Sequence, residues 1–204
     1  MDRTELVGPG EPERVRWTLD LVQARANLLG LRMLDLACRT GAFATTFAHA
    51  GAQVLALEGR QDNLDHVPHS TARFELADVR DLSLELHGRH DVTLCCGILY
   101  HLDAADAVKL LRAMRKVTGQ FAVVDTHVGD DQGEVTVDGR TYRGCVYGEA
   151  LDHPWSALGN PASWWFTEGS LDDAVHAAGW NKVERIPGRS WAGEDPDRRW
   201  LVIS

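Results

Sequence analysis

Three acidic residues fall at near-even spacing through the first part of this 204-residue chain: Asp35, Glu58 twenty-three residues later, and Asp78 twenty further on. Each lies at the carboxyl end of a short strand-like run, Leu31–Ala37, Gln53–Leu57 or Arg73–Leu76. After the first run comes a turn of mostly small residues, Ala37-Cys38-Arg39-Thr40-Gly41, and then a helical pattern. Such a turn lets a ligand approach the backbone, with helix N–H groups facing it. A pyrophosphate would be repelled by a carboxylate at Asp35, whereas a ligand carrying an ammonium group would be drawn to it. Glu58 is suited to accept from both hydroxyls of a ribose, and Asp78 to meet an adenine amino group. Only Gly41 among the turn positions is glycine, so this is not the GxGxxG dinucleotide fingerprint.

The elements that must position these residues follow from periodicity. Val15, Leu19, Val22, Ala26 and Leu29 predict a leading helix over Pro12–Leu29, stopped by Gly30. Helices are expected at Thr40–Ala50, from Asn63 to Val67, at Ala104–Val117 and at Glu168–Ala178. Strands are expected at His90–Cys96, Phe121–Asp125, Lys182–Ile186 and Arg198–Ile203 in addition to the three above. This alternation implies βαβ crossovers and a parallel sheet, with the last two strands pairing antiparallel at one edge. Gly129–Phe166 breaks the rhythm. It reads as a hairpin (Glu134–Val137, turn Asp138-Gly139, Arg140–Tyr147) followed by an irregular Trp-rich stretch. The chain therefore reads as a single α/β domain, a Rossmann-like, mostly parallel seven-stranded sheet flanked by helices. Its parts are a leading helix or lid (1–29), a cofactor-binding core (30–127), an insertion after the fifth strand that would cover substrate (128–166), and a closing helix with antiparallel strands (167–204).

Composition excludes several classes. Twenty-one Lys and Arg against thirty Asp and Glu leave a formal charge of −9, which argues against nucleic acid and anionic membranes as partners. No stretch approaches the ~20 apolar residues of a membrane span, and Met1–Glu13 lacks the apolar core of a signal peptide. Cys38, Cys95, Cys96 and Cys145 form neither a CxxC pair nor a zinc-type spacing with His. Free thiols and a cytoplasmic location are the expectation. Cys95 and Cys96, inside an apolar strand, read as small core residues and not as nucleophiles.

Taken together, Asp35…Gly41, Glu58, Ala77-Asp78-Val79 and Asp91–Leu102 resemble the successive motifs of the class I S-adenosylmethionine-dependent methyltransferases. The resemblance spans about residues 30–126. LDLAC-x-x-G-x-FA with EGR and GILYHL is most similar to a bacterial branch acting on small molecules. It implies S-adenosylmethionine as cofactor, S-adenosylhomocysteine as product, and no metal. By this resemblance Asp35 and the backbone of Ala37 and Gly97 hold the methionine moiety, beside Arg39 and Gly41 of the turn. Glu58 holds the ribose, Asp78 and Val79 the adenine, and Gly59 is a further residue of the cofactor site. The family's turn is Gly-x-Gly-x-Gly, and here Ala37 and Arg39 replace its first two glycines. Ala37 costs little provided its backbone stays in an ordinary region. Arg39 either reaches the methionine carboxylate or obstructs the pocket.

The acceptor side lies past the fourth and fifth strands, which are neighbours if the strand order is the family's. Tyr100-His101 follows one and Asp125-Thr126-His127 the other. A His there can take a proton as the methyl group leaves sulfur. His101 is the expected base, with Asp125 or His127 as orienting partner or substitute; the alternative is that His101 caps the next helix or only packs. His101, Asp125 and His127 also mix imidazole and carboxylate as a divalent metal site does. The insertion holds Tyr142, Tyr147, His153, Trp155, Trp164, Trp165 and Phe166, an acceptor pocket or the insertion's own small core. Tyr100, Tyr147, Trp164 and Trp165 are candidate substrate contacts. Trp17 either closes over the cofactor or anchors the leading helix. The expected activity is methyl transfer to a small molecule, at oxygen first and nitrogen second, by a monomer or homodimer. Alternatives are a tRNA- or RNA-modifying enzyme, a non-catalytic or repurposed S-adenosylmethionine-binding protein, and a non-methylating enzyme on the same fold.

Overall fold

A computed structural model describes residues 11–149, 158–187 and 196–204. Helix α1 (Glu11–Gln23) leads into β1 (Arg32–Leu36), α2 (Ala42–His49), β2 (Gln53–Glu58), α3 (Gln61–Leu64) and β3 (Arg73–Leu76). Then follow α4 (Leu84–His87), β4 (His90–Cys96), α5 (Ala104–Val117) and β5 (Thr118–His127). The insertion supplies β6 (Gly133–Val137), β7 (Arg140–Gly148) and β8 (Ala162–Phe166), and α6 (Glu168–Ala177), β9 (Val183–Ile186) and β10 (Arg198–Ile203) close the chain.

The seven-stranded sheet has the order β3-β2-β1-β4-β5-β10-β9, with β10 antiparallel to both of its neighbours. The order reverses between β1 and β4, which pair in parallel, and a ligand crevice belongs at that reversal, outside the strands' carboxyl ends. β4 and β5 are neighbours, as the sequence reading required. Because helices cover both faces, the central strands send apolar side chains to both. On one face Val15 and Val22 of α1 and Phe43 and Phe47 of α2 pack with Met33, Leu94 and Trp200. On the other, Leu110, Leu111 and Met114 of α5 pack with Leu34, Val124, Trp180 and Leu201. Asp103 caps α5 by accepting from Asp106 N–H, and Arg115 and Lys116 lie in its last turn, where cations suit the helix dipole. Leu111 is fully buried, and Leu111→Ala would cost about 2–5 kcal/mol.

Several boundaries differ from the sequence reading, each for a local reason. α1 stops at Gln23 and not at Leu29, and the Asn27 side chain takes the Leu29 N–H that a continuing helix would use. α2 starts at Ala42 because Gly41 sits in the left-handed region. α3 runs Gln61–Leu64, earlier than the Asn63–Val67 expected, and β5 begins at Thr118, where the Thr93 and Thr118 hydroxyls pair at 2.7 Å inside the sheet. The largest correction concerns the Trp-rich stretch. Ala162–Phe166 is not irregular but a third strand, pairing with β7 to complete an antiparallel β6-β7-β8 sheet. Three consecutive aromatic residues suit a pleated surface better than a loop.

Candidate active site

The turn after β1 is built on the buried carboxylate of Asp35, which is 2% exposed. Its Oδ2 accepts the Ala44 N–H at 3.1 Å, joining the strand end to the first turn of α2. Burial pushes this carboxyl up to about 7, against the opposing pull of the Ala44 hydrogen bond and the positive charge of Arg14. A cation placed beside it would restore the charged form, so the site fits an ammonium group. Across the turn, Ala37 (φ 53), Arg39 (φ 52) and Gly41 (φ 78) are all left-handed. The condition for a low cost at Ala37 is therefore not met: two side chains occupy backbone that glycine adopts readily, at about 1–2 kcal/mol each. Gly41 is a glycine by necessity, since a Cβ there would lie 2.7 Å from the Phe74 ring.

Glu58 ends β2 at 5% exposure and accepts from three donors: Arg39 N–H (2.8 Å), Arg60 N–H (2.9 Å) and Asn63 Nδ2 (3.0 Å). A carboxylate has about four lone-pair directions, so Glu58 keeps accepting capacity toward the pocket. The Arg39 guanidinium turns to Glu11 at 3.4 Å, tying the turn to α1, and burial lowers its pKa. Gly59 abuts Leu158. Asp78 caps the 3-10 turn Val79–Asp81, with Val79 buried beneath it, and both of its oxygens are engaged by Arg80, which holds its carboxyl below the usual range despite partial burial. Arg80 also donates to Leu158 O at 3.0 Å. An adenine amino group would therefore share Asp78 with Arg80. Gly97 (φ 101) faces Arg14, whose Nη2 would lie 3.0 Å from a Cβ there.

Asp125 sits between two arginines. Its fully buried carboxylate receives Arg14 Nε at 2.8 Å and Arg198 Nε and Nη2 at 2.7 Å each. Both oxygens are committed to guanidinium groups. Arg14 and Arg198 escaped the sequence reading. Nothing local marks them, because they reach Asp125 from the leading helix and the last strand. The alternative metal set of His101, Asp125 and His127 is not gathered either, and among the described residues no group of three potential ligands could hold a metal ion.

The two histidines instead meet aromatic rings. Tyr100 contacts His101 (ring centroids 4.3 Å apart) and His127 (4.4 Å), His127 contacts Trp165 (4.8 Å), and Trp165 stacks on Tyr147 (4.5 Å, 12°). Tyr147 and Trp165 are diagonal cross-strand neighbours of β7 and β8, so they share one face. Trp164 and Phe166 point the other way into the core, so Trp164 is a packing residue and not a substrate contact. Tyr142 is likewise core. Trp17 stands edge-on to Trp200 at 4.6 Å, which anchors α1. His153 and Trp155 lie outside the described residues. The sequence reading also missed Glu149, whose Oε1 lies 2.9 Å from His101 Nδ1. Burial pushes the Cys95 thiol up to about 12 and that of Cys96 well above its usual value, consistent with core residues. A concavity of about 600 Å³ at the opposite end of the strands, lined by Arg32, Gln53, Arg73 and His90 among others, lies away from these groups.

Comparison with known proteins agrees with this layout. Residues 33–120 match a methyltransferase domain family. The ubiquinone biosynthesis O-methyltransferase of Xanthomonas oryzae pv. oryzae (strain PXO99A) is 30% identical over 105 residues, covering 48% of this chain and 43% of that protein. Its counterpart from Bordetella pertussis (strain Tohama I) is 30% identical over 115 residues, 53% of this chain and 46% of that one. The chain thus spans less than half the length of these relatives. Among solved structures, the N-terminal domain of EvdMO1 with S-adenosylhomocysteine bound superposes with a TM-score of 0.74 at 25% identity, over 96% of this chain and 79% of that one. Magnesium protoporphyrin IX methyltransferase from Synechocystis PCC 6803, with S-adenosylmethionine bound, shares the fold (TM-score 0.63, 16% identity, 95% and 79% covered). Fold, strand-end carboxylates and matched segment point the same way: residues 33–120 are similar to a methyltransferase domain, on a fold shared with solved structures that hold S-adenosylmethionine or S-adenosylhomocysteine. Among the described residues no helix is long and apolar enough to cross a membrane.

Proposed function

We propose that this protein moves a methyl group from S-adenosylmethionine to a small-molecule acceptor in the cytoplasm, at oxygen first and nitrogen second, as a monomer or homodimer. The observation that carries this reading is the pair of buried carboxylates, Asp35 and Glu58, at adjacent strand ends on either side of a left-handed turn. Bound there, S-adenosylmethionine supplies a methyl group already activated by its sulfonium sulfur. Asp35 with the backbone of Ala37 and Gly97 would hold the methionine end, Glu58 and Gly59 the ribose, and Asp78 and Val79 the adenine. Asp35 does so by regaining its charge against an ammonium group, which offsets the cost of its burial.

On the acceptor side, Tyr100, Tyr147 and Trp165 offer aromatic surface for positioning, and His101 takes the proton from the acceptor hydroxyl or amine. His127, between Tyr100 and Trp165, sets the wall of the same region. Asp125 holds Arg14 and Arg198 in place. The relatives named as O-methyltransferases support oxygen as the first acceptor class. The test is S-adenosylhomocysteine release from protein, S-adenosylmethionine and a panel of hydroxyl- and amine-bearing small molecules, with bulk tRNA as a separate arm. Turnover on a hydroxylated small molecule, lost in His101→Gln, is the expected result. Turnover confined to tRNA would overturn the acceptor class.

A further inference from the structure

We infer that Glu149 is the positioning residue of His101: from the inserted sheet it fixes which ring nitrogen bears the proton. This rests on the reading of His101 as proton acceptor. Glu149 follows β7, and its N–H donates to Pro161 O at 3.0 Å, which pins the residue to the strand-β8 side of the insertion. Its side chain is 4% exposed and that of His101 16%, with 2.9 Å between Oε1 and Nδ1. A carboxylate buried that far persists only with a donor, and an ionised carboxylate can only accept. Nδ1 is therefore the protonated nitrogen of the neutral ring, and Nε2 carries the lone pair that receives a proton.

The surrounding contacts show that the insertion grips this segment of backbone. Trp165 Nε1 donates to Tyr100 O (2.9 Å), Asn160 Nδ2 to His101 O (2.8 Å) and Trp164 N–H to Leu102 O (2.9 Å). Three consecutive carbonyls, 100 to 102, are thus each satisfied from the insertion, and the Glu149 bond to the ring is a fourth tie. The backbone ties fix where the imidazole stands. Glu149 fixes its tautomer and rotation. An insertion that only covered the pocket would have no need of a buried carboxylate at this place.

The test needs no acceptor. Side-chain ¹⁵N NMR of the S-adenosylhomocysteine-bound protein at pH 8 reads the tautomer of each histidine, with the His101 signals assigned by their loss in His101→Gln. The wild type is expected to show the Nδ1–H form. Glu149→Gln, which keeps an accepting oxygen, is expected to retain it. In Glu149→Ala the Nδ1–H to Nε2–H ratio is expected to fall by about tenfold or more, the scale of one charge-assisted hydrogen bond. Affinity for S-adenosylhomocysteine is expected to be unchanged in both variants. An Nε2–H ring in the wild type overturns the inference even if Glu149→Ala fails to fold, as does an unchanged ratio in a folded Glu149→Ala. Absence of S-adenosylhomocysteine binding in the wild type would instead sink the methyltransferase reading, and the tautomer, read in the protein alone, would still decide the role of Glu149.

Discussion

Arg14 of the leading helix donates to the fully buried carboxylate of Asp125 at 2.8 Å, across 111 residues of sequence. With Arg198 on the other side, this carboxylate joins the first helix, the fifth strand and the last strand at the edge of the pocket. Removing one member of a buried charge cluster leaves the others without a counter-ion. Asp125→Ala is expected to cost about 3–5 kcal/mol, read as a lower urea midpoint with an unchanged slope. A loss below about 1 kcal/mol would mean that water, not Asp125, solvates the two guanidinium groups.

The left-handed turn gives an opposite prediction. Ala37→Gly relieves about 1–2 kcal/mol of backbone strain while restoring some unfolded-state freedom, for a net gain of about 0.5–1 kcal/mol. Arg39→Gly relieves the same strain but loses the contact with Glu11, so its gain is expected to be smaller. Thermal melts of the two variants check both the sign and the order.

Asp35 makes stability depend on pH. Its carboxyl is held at about 7 in the folded protein against an ordinary value of 3.8, so the folded state binds that proton more tightly than the unfolded state does. The stability this gives is fully present below pH ~4 and is lost as pH rises through about 7, a total of about 4 kcal/mol. Asp35→Asn, which keeps an acceptor for Ala44, removes that dependence. Between pH 5 and pH 8 the variant is expected to gain on the wild type by about 2–3 kcal/mol in urea unfolding. A constant gap between the two would contradict the buried-charge account.

The same residue links binding to protons. A ligand ammonium favours ionised Asp35, so binding at pH 6 is expected to release up to about one proton. Calorimetry in two buffers of different ionisation enthalpy measures it, and in Asp35→Asn the release should vanish.

Much of this site was legible in the sequence because its signals are local. Asp35, Glu58 and Asp78 each close a short strand, and strand, turn and helix are neighbours along the chain. What escaped was set by distant pairing. Asp125 stands where a catalytic group would, and only Arg14 and Arg198, brought in by the fold, show it to be committed to other work. Glu149 gave no signal, since its partner His101 is 48 residues away, in the turn that follows β4 of the other sheet. The aromatic residues of the insertion divided into core and pocket only once β8 was seen to be a strand, because the pleat sends Trp164 and Trp165 to opposite faces.

The most direct measurement is calorimetric titration of the wild type, Asp35→Asn and Glu58→Gln with S-adenosylhomocysteine at pH 7. The account predicts one site of roughly micromolar affinity in the wild type, weakened about tenfold or more by each substitution through the loss of a charge-assisted contact. No binding by the folded wild type, or binding that both substitutions leave intact, would contradict the assignment of this strand-end pocket to the cofactor.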